Sequence, residues 1–156
     1  QGLAKYRQYW HDVIGYNYRM SNICAAIGLA QLEQADLFIK RKREIADTYH
    51  KELAGLPITL HHETGEVRHS YWMYSILLED PQKRDPLRDY LESRGIETRP
   101  VFYPVHTMPI YSQKFQRHPV AESLGWRGIN LPSWPGLKHQ QLTNITSALK
   151  DYFNHR

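Results

Sequence analysis

The sequence predicts an α+β fold, in which a small antiparallel or mixed sheet carries helices mainly on one face. Two patterns predict it: a long amphipathic helix comes first, and short strands then alternate with short helices. A chain of 156 residues, of which 41% are hydrophobic and 23% charged, can also bury a core without disulfides or a structural metal. We expect the folded domain to span residues 21–156, after a lead segment at residues 1–20.

The first predicted element is one long helix over residues 21–53. Its apolar residues recur at intervals of three and four along one stripe, which consists of Leu32, Ala35, Ile39, Ala46, Tyr49 and Leu53. Lys42 is the gap in that stripe. Ser21 or Asn22 can cap the first turn, because a short polar side chain accepts from its free N–H groups. Gly55 and Pro57 end the helix.

Residues 25–30, near the start of this helix, are apolar on every side. A helix of that kind is covered all round, so we expect self-association through residues 21–32. The longest uninterrupted apolar run, residues 24–30, is much shorter than the roughly 20 residues that cross a bilayer. We therefore expect no membrane partner.

The elements after residue 57 are short. They are strands at 58–60 and 71–78, a helix at 85–93, an extended segment at 96–103, a short helix at 120–124, a strand at 129–131, and a closing helix with the stripe Leu142, Ile145, Leu149 and Phe153. Aromatic and branched residues favour the second strand. Gly95 ends the middle helix, and Pro100 and Pro104 break the extended segment that follows it.

The formal net charge is +4, and the dense basic run of the chain is residues 40–43. Glu44 and Asp47 follow this run within the same helix, so we interpret it as a solvated face on which lysines stay charged. A nucleic-acid binder that uses this run is a further hypothesis, and its affinity would fall steeply as salt rises. Because the solvated face is the simpler interpretation, we expect no nucleic-acid partner.

Spacing excludes several familiar sites. The chain has no Gly-rich loop ending in Lys-Ser or Lys-Thr, no GxGxxG and no GxSxG. The run His61-His62-Glu63 lacks the second histidine of a zinc helix, because Glu66 stands at that position, and we expect surface histidines there. The single cysteine, Cys24, excludes an internal disulfide and favours a reducing, cytoplasmic compartment.

Two segments carry candidate ligand-binding residues, and the first is residues 15–20. In an extended chain Asn17 and Arg19 point the same way, so both could converge on an anion just ahead of the helix. Arginine binds phosphate or carboxylate through two parallel hydrogen bonds, and the helix N-terminus adds a favourable dipole. The alternative is that Asn17 makes a turn and Arg19 an ordinary surface pair, and residue types alone do not separate the two.

The second segment, residues 99–106, combines Arg99, Phe102, Tyr103 and His106 with two prolines that stiffen the chain. Such a segment can stack on a ring and bind a phosphate at little ordering cost. In the alternative interpretation Phe102 and Tyr103 are core residues and His106 is a turn residue. The residue types alone favour this plainer interpretation.

At these segments the chain resembles the C-terminal part of the DegT/DnrJ/EryC1/StrS sugar aminotransferases. The likeness is carried by residues 15–22 running into 25–32, and by residues 41–49, 95–96, 103–106 and 129–132. Its spacing holds over nearly the whole chain. Within the family, residues 99–106 followed by Met108-Pro-Ile-Tyr111 are most similar to the branch that aminates a GDP-linked 4-keto-6-deoxy sugar.

The resemblance implies a fold-type-I homodimer that uses pyridoxal phosphate and builds its active sites at the subunit interface, with this chain as its C-terminal small domain. It implies that Asn17 reaches the cofactor phosphate of the partner subunit and that Arg19 holds an anionic group of cofactor or substrate. Arg99, Tyr103 and His106 are implied to lie by the nucleotide-sugar site.

In this family the Schiff-base lysine, the aspartate beside the pyridine nitrogen and the stacking aromatic belong to a large domain upstream. No lysine of this chain resembles that motif, and transamination needs that amine. We therefore expect an excised or processed piece, starting without Met, that is inactive alone and binds no pyridoxal phosphate. Its missing catalytic domain is a possible partner chain. The alternative is a free-standing module that binds a nucleotide sugar or another phosphate ligand.

Overall fold

Helices and short strands alternate after the lead segment. In this computed structural model the described residues are 2, 4–112 and 114–154, and they form five α-helices, two 3-10 helices and a four-stranded antiparallel sheet. The helices are α1 (Asn22–Leu32), α2 (Ala35–Glu52), α3 (Arg84–Ser93), α4 (Pro119–Arg127) and α5 (His139–Asn154). The strands are β1 (Ile58–Leu60), β2 (Tyr74–Leu78), β3 (Arg99–Pro100) and β4 (Gly128–Leu131), and the 3-10 helices are Pro81–Lys83 and Val105–Thr107. The predicted α+β class is confirmed.

The chain divides into two compact units, residues 1–36 and residues 37–156. In the first unit none of the described residues is buried, α1 included. Local hydrogen bonds order it: the Asp12 carboxylate accepts from the Tyr6 hydroxyl at 2.7 Å and from the Trp10 indole at 3.0 Å. Ser21 is the cap of α1, as predicted, because its Oγ accepts from the backbone N–H of Cys24 at 3.3 Å.

The prediction of one helix over residues 21–53 is wrong, because two helices cover this range. The N–H of Glu33 still donates to the carbonyl of Leu29, four residues back, as in an α-helix. The N–H of Gln34 donates to the carbonyl of Gln31, three residues back, which is the tighter 3-10 pattern. No glycine or proline stands at this step. The apolar spacing runs through it unbroken, so the sequence carries no signal of the interruption.

The sheet has the strand order β1-β2-β4-β3, and every neighbouring pair is antiparallel. Tyr74 pairs with Leu131 and Ile76 with Ile129, and all four side chains are buried. The predicted strand 71–78 begins only at Tyr74. The predicted extended segment 96–103 contributes just the two residues of β3, because Pro100 lacks an N–H and is tolerated only at an edge.

The core lies in the second unit, where α2, α3 and α5 each bury an apolar stripe together with the sheet. Its fully buried large side chains are Ile45, Tyr49, Leu53, Tyr74, Ile76, Leu78, Leu87, Leu91, Ile129, Leu137 and Leu149. The rings of Tyr49 and Tyr74 stack with centroids 4.7 Å apart, and the Tyr49 hydroxyl donates to the carbonyl of Pro132 at 2.7 Å. Residues 46, 49 and 53 of the first predicted stripe and residues 142, 145 and 149 of the second are thus confirmed as core positions. Leu32 is wrong as a member of the first stripe, because it is 71% exposed on α1.

The prediction that Lys42 stays solvated is wrong. The residue is 9% exposed, and its Nζ donates to the carbonyl of Trp72 at 3.1 Å, to the Ser133 hydroxyl at 2.9 Å and to the Ser133 carbonyl. Burial lowers the pKa of the Lys42 amine. Lys42 follows the spacing of the buried stripe, so its stem packs with the core while three oxygens satisfy its ammonium.

The other basic residues of the run also bond to the chain itself. Arg41 donates to the carbonyl of Leu137 at 2.6 Å, and Arg43 makes two bonds to the Glu63 carboxylate at 3.1 and 3.0 Å. Lys40 is exposed. Residues 41–43 therefore bond α2 to neighbouring segments, so the predicted solvated face is wrong for them and is confirmed only for Lys40.

Within the part of the chain that the structure describes, no helix is both long enough and apolar enough to cross a bilayer.

Candidate functional site

The predicted ligand-binding segment, residues 99–106, packs tightly on α4. A Cβ atom added at Gly125 would lie 2.9 Å from Pro104 Cδ and 3.1 Å from the carbonyl oxygen of Phe102. Real Cβ atoms almost never approach other atoms so closely, so this contact depends on glycine. The contact holds the segment around Tyr103 against α4.

The buried guanidinium of Arg84 holds Tyr103 in place. Its Nη2 donates to the Tyr103 hydroxyl at 2.8 Å, and its Nη1 donates to the carbonyl of Gly125 at 2.9 Å. Asp85 accepts from Nε at 2.9 Å, and this pair raises the pKa of Arg84 and lowers the pKa of Asp85. The Tyr103 ring in turn contacts Trp126 of α4, with centroids 5.0 Å apart.

The imidazole of His106 is held by the Glu122 carboxylate of α4. His106 Nε2 lies 3.0 Å from Glu122 Oε1, so this nitrogen carries the proton and donates it. The same oxygen accepts the backbone N–H of His118 at 2.8 Å. The bond from His118 and, to a smaller extent, the bond from His106 hold the pKa of Glu122 below its ordinary value. The carboxylate stays ionised and fixes the orientation of the His106 ring.

These side chains border a concavity of about 500 Å³, which we call the His106 pocket. It is lined by His106, Thr107, Ser112, Lys114, Phe115, Gln116, Arg117, Glu122 and Trp126. Lys114 and Arg117 supply positive charge, and the rings of Phe115 and Trp126 are exposed. Cations and exposed aromatic rings in one pocket suit a ligand that joins an anionic group to a planar or sugar ring.

Arg99 lies in a different and larger concavity of about 880 Å³, which we call the large cleft. Arg99 belongs to the edge strand β3, where its side chain is 76% exposed and its Nε lies 3.7 Å from the Glu97 carboxylate. Parts of α2, residues 70–73 and residues 130–137 form other walls of the cleft. The structure therefore brings Tyr103 and His106 together on α4 but does not bring Arg99 into the His106 pocket.

Asn17 and Arg19 lie in the first unit, and both are exposed. The rings of Tyr16 and Tyr18 stack with centroids 5.5 Å apart, as side chains two residues apart do on one side of an extended chain. Asn17 and Arg19 alternate with these tyrosines. That Asn17 and Arg19 meet one anion stays a prediction.

Sequence reasoning missed the residues that support the segment. Phe102 is 72% exposed, so its interpretation as a core residue is wrong. Arg84 and Trp126 contact Tyr103 from α3 and α4. Local sequence patterns do not predict contacts between residues that lie this far apart in the chain. Glu122 had a weak signal, because an acidic residue near the start of a predicted helix often accepts a free N–H of its first turn.

A match to known proteins covers nearly the whole chain. The model of the DegT/DnrJ/EryC1/StrS aminotransferase family matches residues 1–150. GDP-perosamine synthase of Escherichia coli O157:H7 is 62% identical over 154 residues, and that of Vibrio cholerae is 50% identical over 158 residues. Each alignment covers 99% of this chain but only 42% and 43% of the respective relative. The chain thus spans less than half the length of the curated relatives it matches.

Solved structures give the same result for the fold. PseC of Helicobacter pylori, an aminotransferase involved in the biosynthesis of pseudoaminic acid, superposes with a TM-score of 0.88 at 26% identity, covering 99% of this chain and 44% of PseC. DesV of S. venezuelae, solved in complex with a ketimine intermediate, superposes with a TM-score of 0.84 at 29% identity, covering 94% of this chain and 40% of DesV.

The residues present do not fit a complete pyridoxal phosphate site. Such a site needs a lysine amine with an aspartate for the pyridine nitrogen. Lys42 is the one lysine of the described residues that is buried, and its Nζ is engaged by three oxygens. It lines the large cleft, whose one acidic lining residue is Glu97 and which no aspartate lines.

Proposed function

The chain belongs to the DegT/DnrJ/EryC1/StrS aminotransferase family, and from this premise we propose that it is the small-domain part of a perosamine synthase-like enzyme. The whole enzyme would aminate a GDP-linked 4-keto-6-deoxy sugar in cytoplasmic polysaccharide biosynthesis. The observation that carries this proposal is the 62% identity to a GDP-perosamine synthase over 99% of the chain. The family uses pyridoxal phosphate, which supplies the electron sink for amino transfer when it is bound.

The nucleotide sugar, in this proposal, binds beside residues 99–106. His106, oriented by Glu122, and the cations of the His106 pocket would receive an anionic group. Phe115 and Trp126 are the aromatic lining of the pocket, and Tyr103, which contacts Trp126, would meet the ligand beside it. Arg99 is exposed at the edge strand, so it would meet the ligand from the large cleft. These assignments rest on charge, exposure and ring geometry within the second unit.

Asn17 and Arg19 are proposed to contact the cofactor phosphate across a homodimer interface. Both are exposed, so a second subunit can reach them. The interface would use residues 21–32, because α1 leaves Ile23, Ile27, Leu29 and Leu32 between 59% and 75% exposed. Apolar surface of that kind is uncommon without a covering partner.

A chimera tests the proposal directly. In it, this chain replaces the matching 42% of the Escherichia coli relative, so that the rest of the relative supplies the catalytic lysine. We expect the chimera to bind pyridoxal phosphate and to aminate the GDP-linked keto sugar. The same chimera carrying N17A should bind the cofactor about tenfold more weakly, because a phosphate hydrogen bond is lost. A dimeric chimera that binds the cofactor but does not aminate the sugar would overturn the substrate assignment.

The 156 residues alone should not transaminate. After incubation with pyridoxal phosphate and reduction with borohydride, mass spectrometry should find at most scattered labelling of exposed lysines. Lys42→Met, which removes the one buried amine, is the matched control and should leave that labelling unchanged. Stoichiometric labelling of a single lysine would contradict the proposal, since it would reveal a complete cofactor site within the chain.

The His106 pocket also favours a second candidate function, a free-standing module that binds a nucleotide sugar or phosphate ligand. All its described lining comes from the second unit, so binding would need no other chain. Calorimetry with GDP and with inorganic phosphate separates the two: binding by the isolated chain supports the module, and His106→Gln should weaken it about tenfold. His62→Gln, on an exposed histidine, is the control. Binding seen only with the chimera would reject the module.

A further inference from the structure

Three histidine rings meet two tyrosines where residues 61–73 connect β1 to β2. The rings of His61 and His69 lie 4.4 Å apart, and His61 also lies 5.6 Å from Tyr71. His50 of α2 contacts Tyr74 at 5.3 Å, and its Nε2 bonds to the carbonyl of His61. The prediction of surface histidines is therefore wrong for half-buried His61, although it is confirmed for exposed His62.

One hydrogen bond in this cluster fixes the protonation of His69. The backbone N–H of Tyr71 donates to His69 Nδ1 at 2.7 Å. A ring nitrogen that accepts a hydrogen bond carries no proton, so His69 is the neutral tautomer with its proton on Nε2. Tyr71 has a φ of +49°, in the left-handed region that a bulky side chain rarely adopts. The bond thus supports a backbone conformation that Tyr71 does not favour by itself.

This strained turn leads directly into a wall of the large cleft. Trp72 follows Tyr71, and its side chain lines the cleft while remaining 72% exposed. The carbonyl of Trp72 accepts from Lys42 Nζ at 3.1 Å, which ties the turn to α2. The bond from Tyr71 to His69 thus lies one residue before a residue that lines the cleft.

Charged groups surround the cluster on every side that packs against it. The Glu63 carboxylate accepts the backbone N–H of His69 at 2.9 Å, and Arg43 donates to the carbonyl of His69 at 2.8 Å and to Glu63. The titratable and charged groups in direct contact with His69 are Arg43 from α2 and His61, Glu63 and Tyr71 from the connection. Behind them, His50 contacts His61 and Tyr74, Tyr74 contacts Tyr71, and the charge of Asp47 acts on Tyr71 and Tyr74. Because Glu63 is already paired with Arg43, the cluster has little spare negative charge for an imidazolium.

We propose that His69 is an acid-sensitive latch for the Trp72 wall of the large cleft. A proton that adds to His69 Nδ1 takes the lone pair that holds the Tyr71 N–H, and two donors then face each other. The turn keeps its bonds to Glu63, Arg43 and Lys42 but loses the one that supports the left-handed conformation of Tyr71, so the Tyr71 backbone relaxes and the Trp72 side chain is displaced from its place in the cleft wall. Trp72 thus lines the cleft while His69 Nδ1 is unprotonated and is displaced once Nδ1 carries a proton.

A second histidine strengthens the acid response. Burial first, and then the nearness of His69 and His50, lowers the pKa of His61. A lowered pKa means that the fold favours the neutral ring, so this stabilisation is complete above the unfolded value, near 6.5, and is lost as the pH falls through the folded value. When both rings carry a proton, positive charges whose ring centroids lie 4.4 Å apart repel each other, which favours the open turn.

Nuclear magnetic resonance of the intact chain tests the latch without a mutation. Long-range ¹⁵N–¹H spectra at pH 7.5 should show the Nε2–H tautomer for His69, and a proton on Nδ1 at this pH would overturn the proposal. On titration to pH 5 the Tyr71 amide should shift and lose protection with the midpoint of His69. One pH unit below that midpoint about nine-tenths of the chains carry the proton, so the population that keeps the bond between Tyr71 and His69 should fall about tenfold.

A matched pair of variants separates the latch from general acid sensitivity. In His69→Asn the amide Oδ1 replaces Nδ1 as an acceptor that does not titrate, so the Tyr71 and Trp72 signals should stop responding between pH 7.5 and 5. His62→Asn, at the exposed neighbour, should keep the full response. An unchanged response in His69→Asn would overturn the proposal, and if that variant does not fold, the tautomer of the unmodified chain decides.

Discussion

The two units of the chain use apolar residues in opposite ways. In the first unit α1 presents Ile23, Ile27, Leu29 and Leu32 to the outside, and no described residue is buried. In the second unit α5 alone buries six residues, and it meets a sheet and two further helices in one core. The second unit therefore carries its own stability, whereas the apolar face of the first contributes little until a partner covers it.

The largest effect should come from the core of the second unit. Leu87, at the centre of α3, is 0% exposed, and Leu87→Ala removes buried methyl groups and leaves a cavity. We expect the free energy of unfolding to fall by about 2–5 kcal/mol, measured by urea denaturation. Ile27→Ala in α1 is the matched control, and at a concentration where the chain is monomeric it should change stability by less than about 0.5 kcal/mol. Equal losses at both sites would break the contrast between the units.

A smaller loss should follow the replacement of the buried ammonium by an apolar group. Lys42→Met keeps the packing of the stem but leaves the carbonyls of Trp72 and Ser133 without their donor. We expect a loss of about 1–3 kcal/mol in the free energy of unfolding. Lys40→Met, on the exposed residue two positions earlier, is the control and should be close to neutral. A stabilised Lys42→Met variant would show that desolvation of the amine outweighs its three bonds.

Lys42 also illustrates how far the sequence predicts this fold. The stripe of residues at three and four spacing predicts its position on the buried face, but the residue type predicts a solvated charge. The oxygens that satisfy it come from residues 72 and 133, at separations of 30 and 91 residues. The periodicity of apolar residues predicts which side of a helix is buried, but it does not predict which distant oxygen atoms contact that side. The stripes of α2 and α5 were therefore predictable, while the ties of residues 41–43 were not.

The candidate site shows the same division. The residue types and the family resemblance predict residues 99–106 as a candidate ligand-binding segment, and its two prolines predict irregular backbone. Its supports were not found, since Arg84 lies 19 residues from Tyr103 and Glu122 lies 16 residues from His106. The interruption between α1 and α2 was missed for a different reason, because the apolar spacing runs through it unbroken.

A charge on α1 should leave stability unchanged but alter assembly. Leu29 is 59% exposed, so Leu29→Asp places a carboxylate on the face that we propose as the homodimer interface. Analytical ultracentrifugation should show a concentration-dependent dimer for the unmodified chain and a monomer for the variant. Asp36→Asn, an exposed charge change just beyond α1, is the control and should keep the dimer. A chain that stays strictly monomeric at high concentration would contradict the proposed use of the first unit.

The smallest expected effect is on the melting temperature of a Glu63 variant, and it depends on pH. The hydrogen bonds from Arg43, together with the backbone N–H of His69, lower the pKa of Glu63 to about 2. Because the folded value lies below the unfolded one, near 4.5, the contribution of Glu63 is complete above pH 4.5 and is lost as the pH falls toward 2. The melting temperature of Glu63→Gln should thus lie below that of the unmodified chain at pH 6 and approach it near pH 2.

The position of this window distinguishes Glu63 from the His69 latch. The Glu63 contribution changes only below about pH 4.5, so it can be measured separately from the His69 latch, whose midpoint the resonance titration supplies. Glu66→Gln, an exposed neighbour in the same connection, should follow the unmodified chain at every pH. If Glu63→Gln instead diverges most between pH 5 and 7, the carboxylate acts through the histidine cluster. The acid response of the second unit would then come from one coupled set of groups rather than from two.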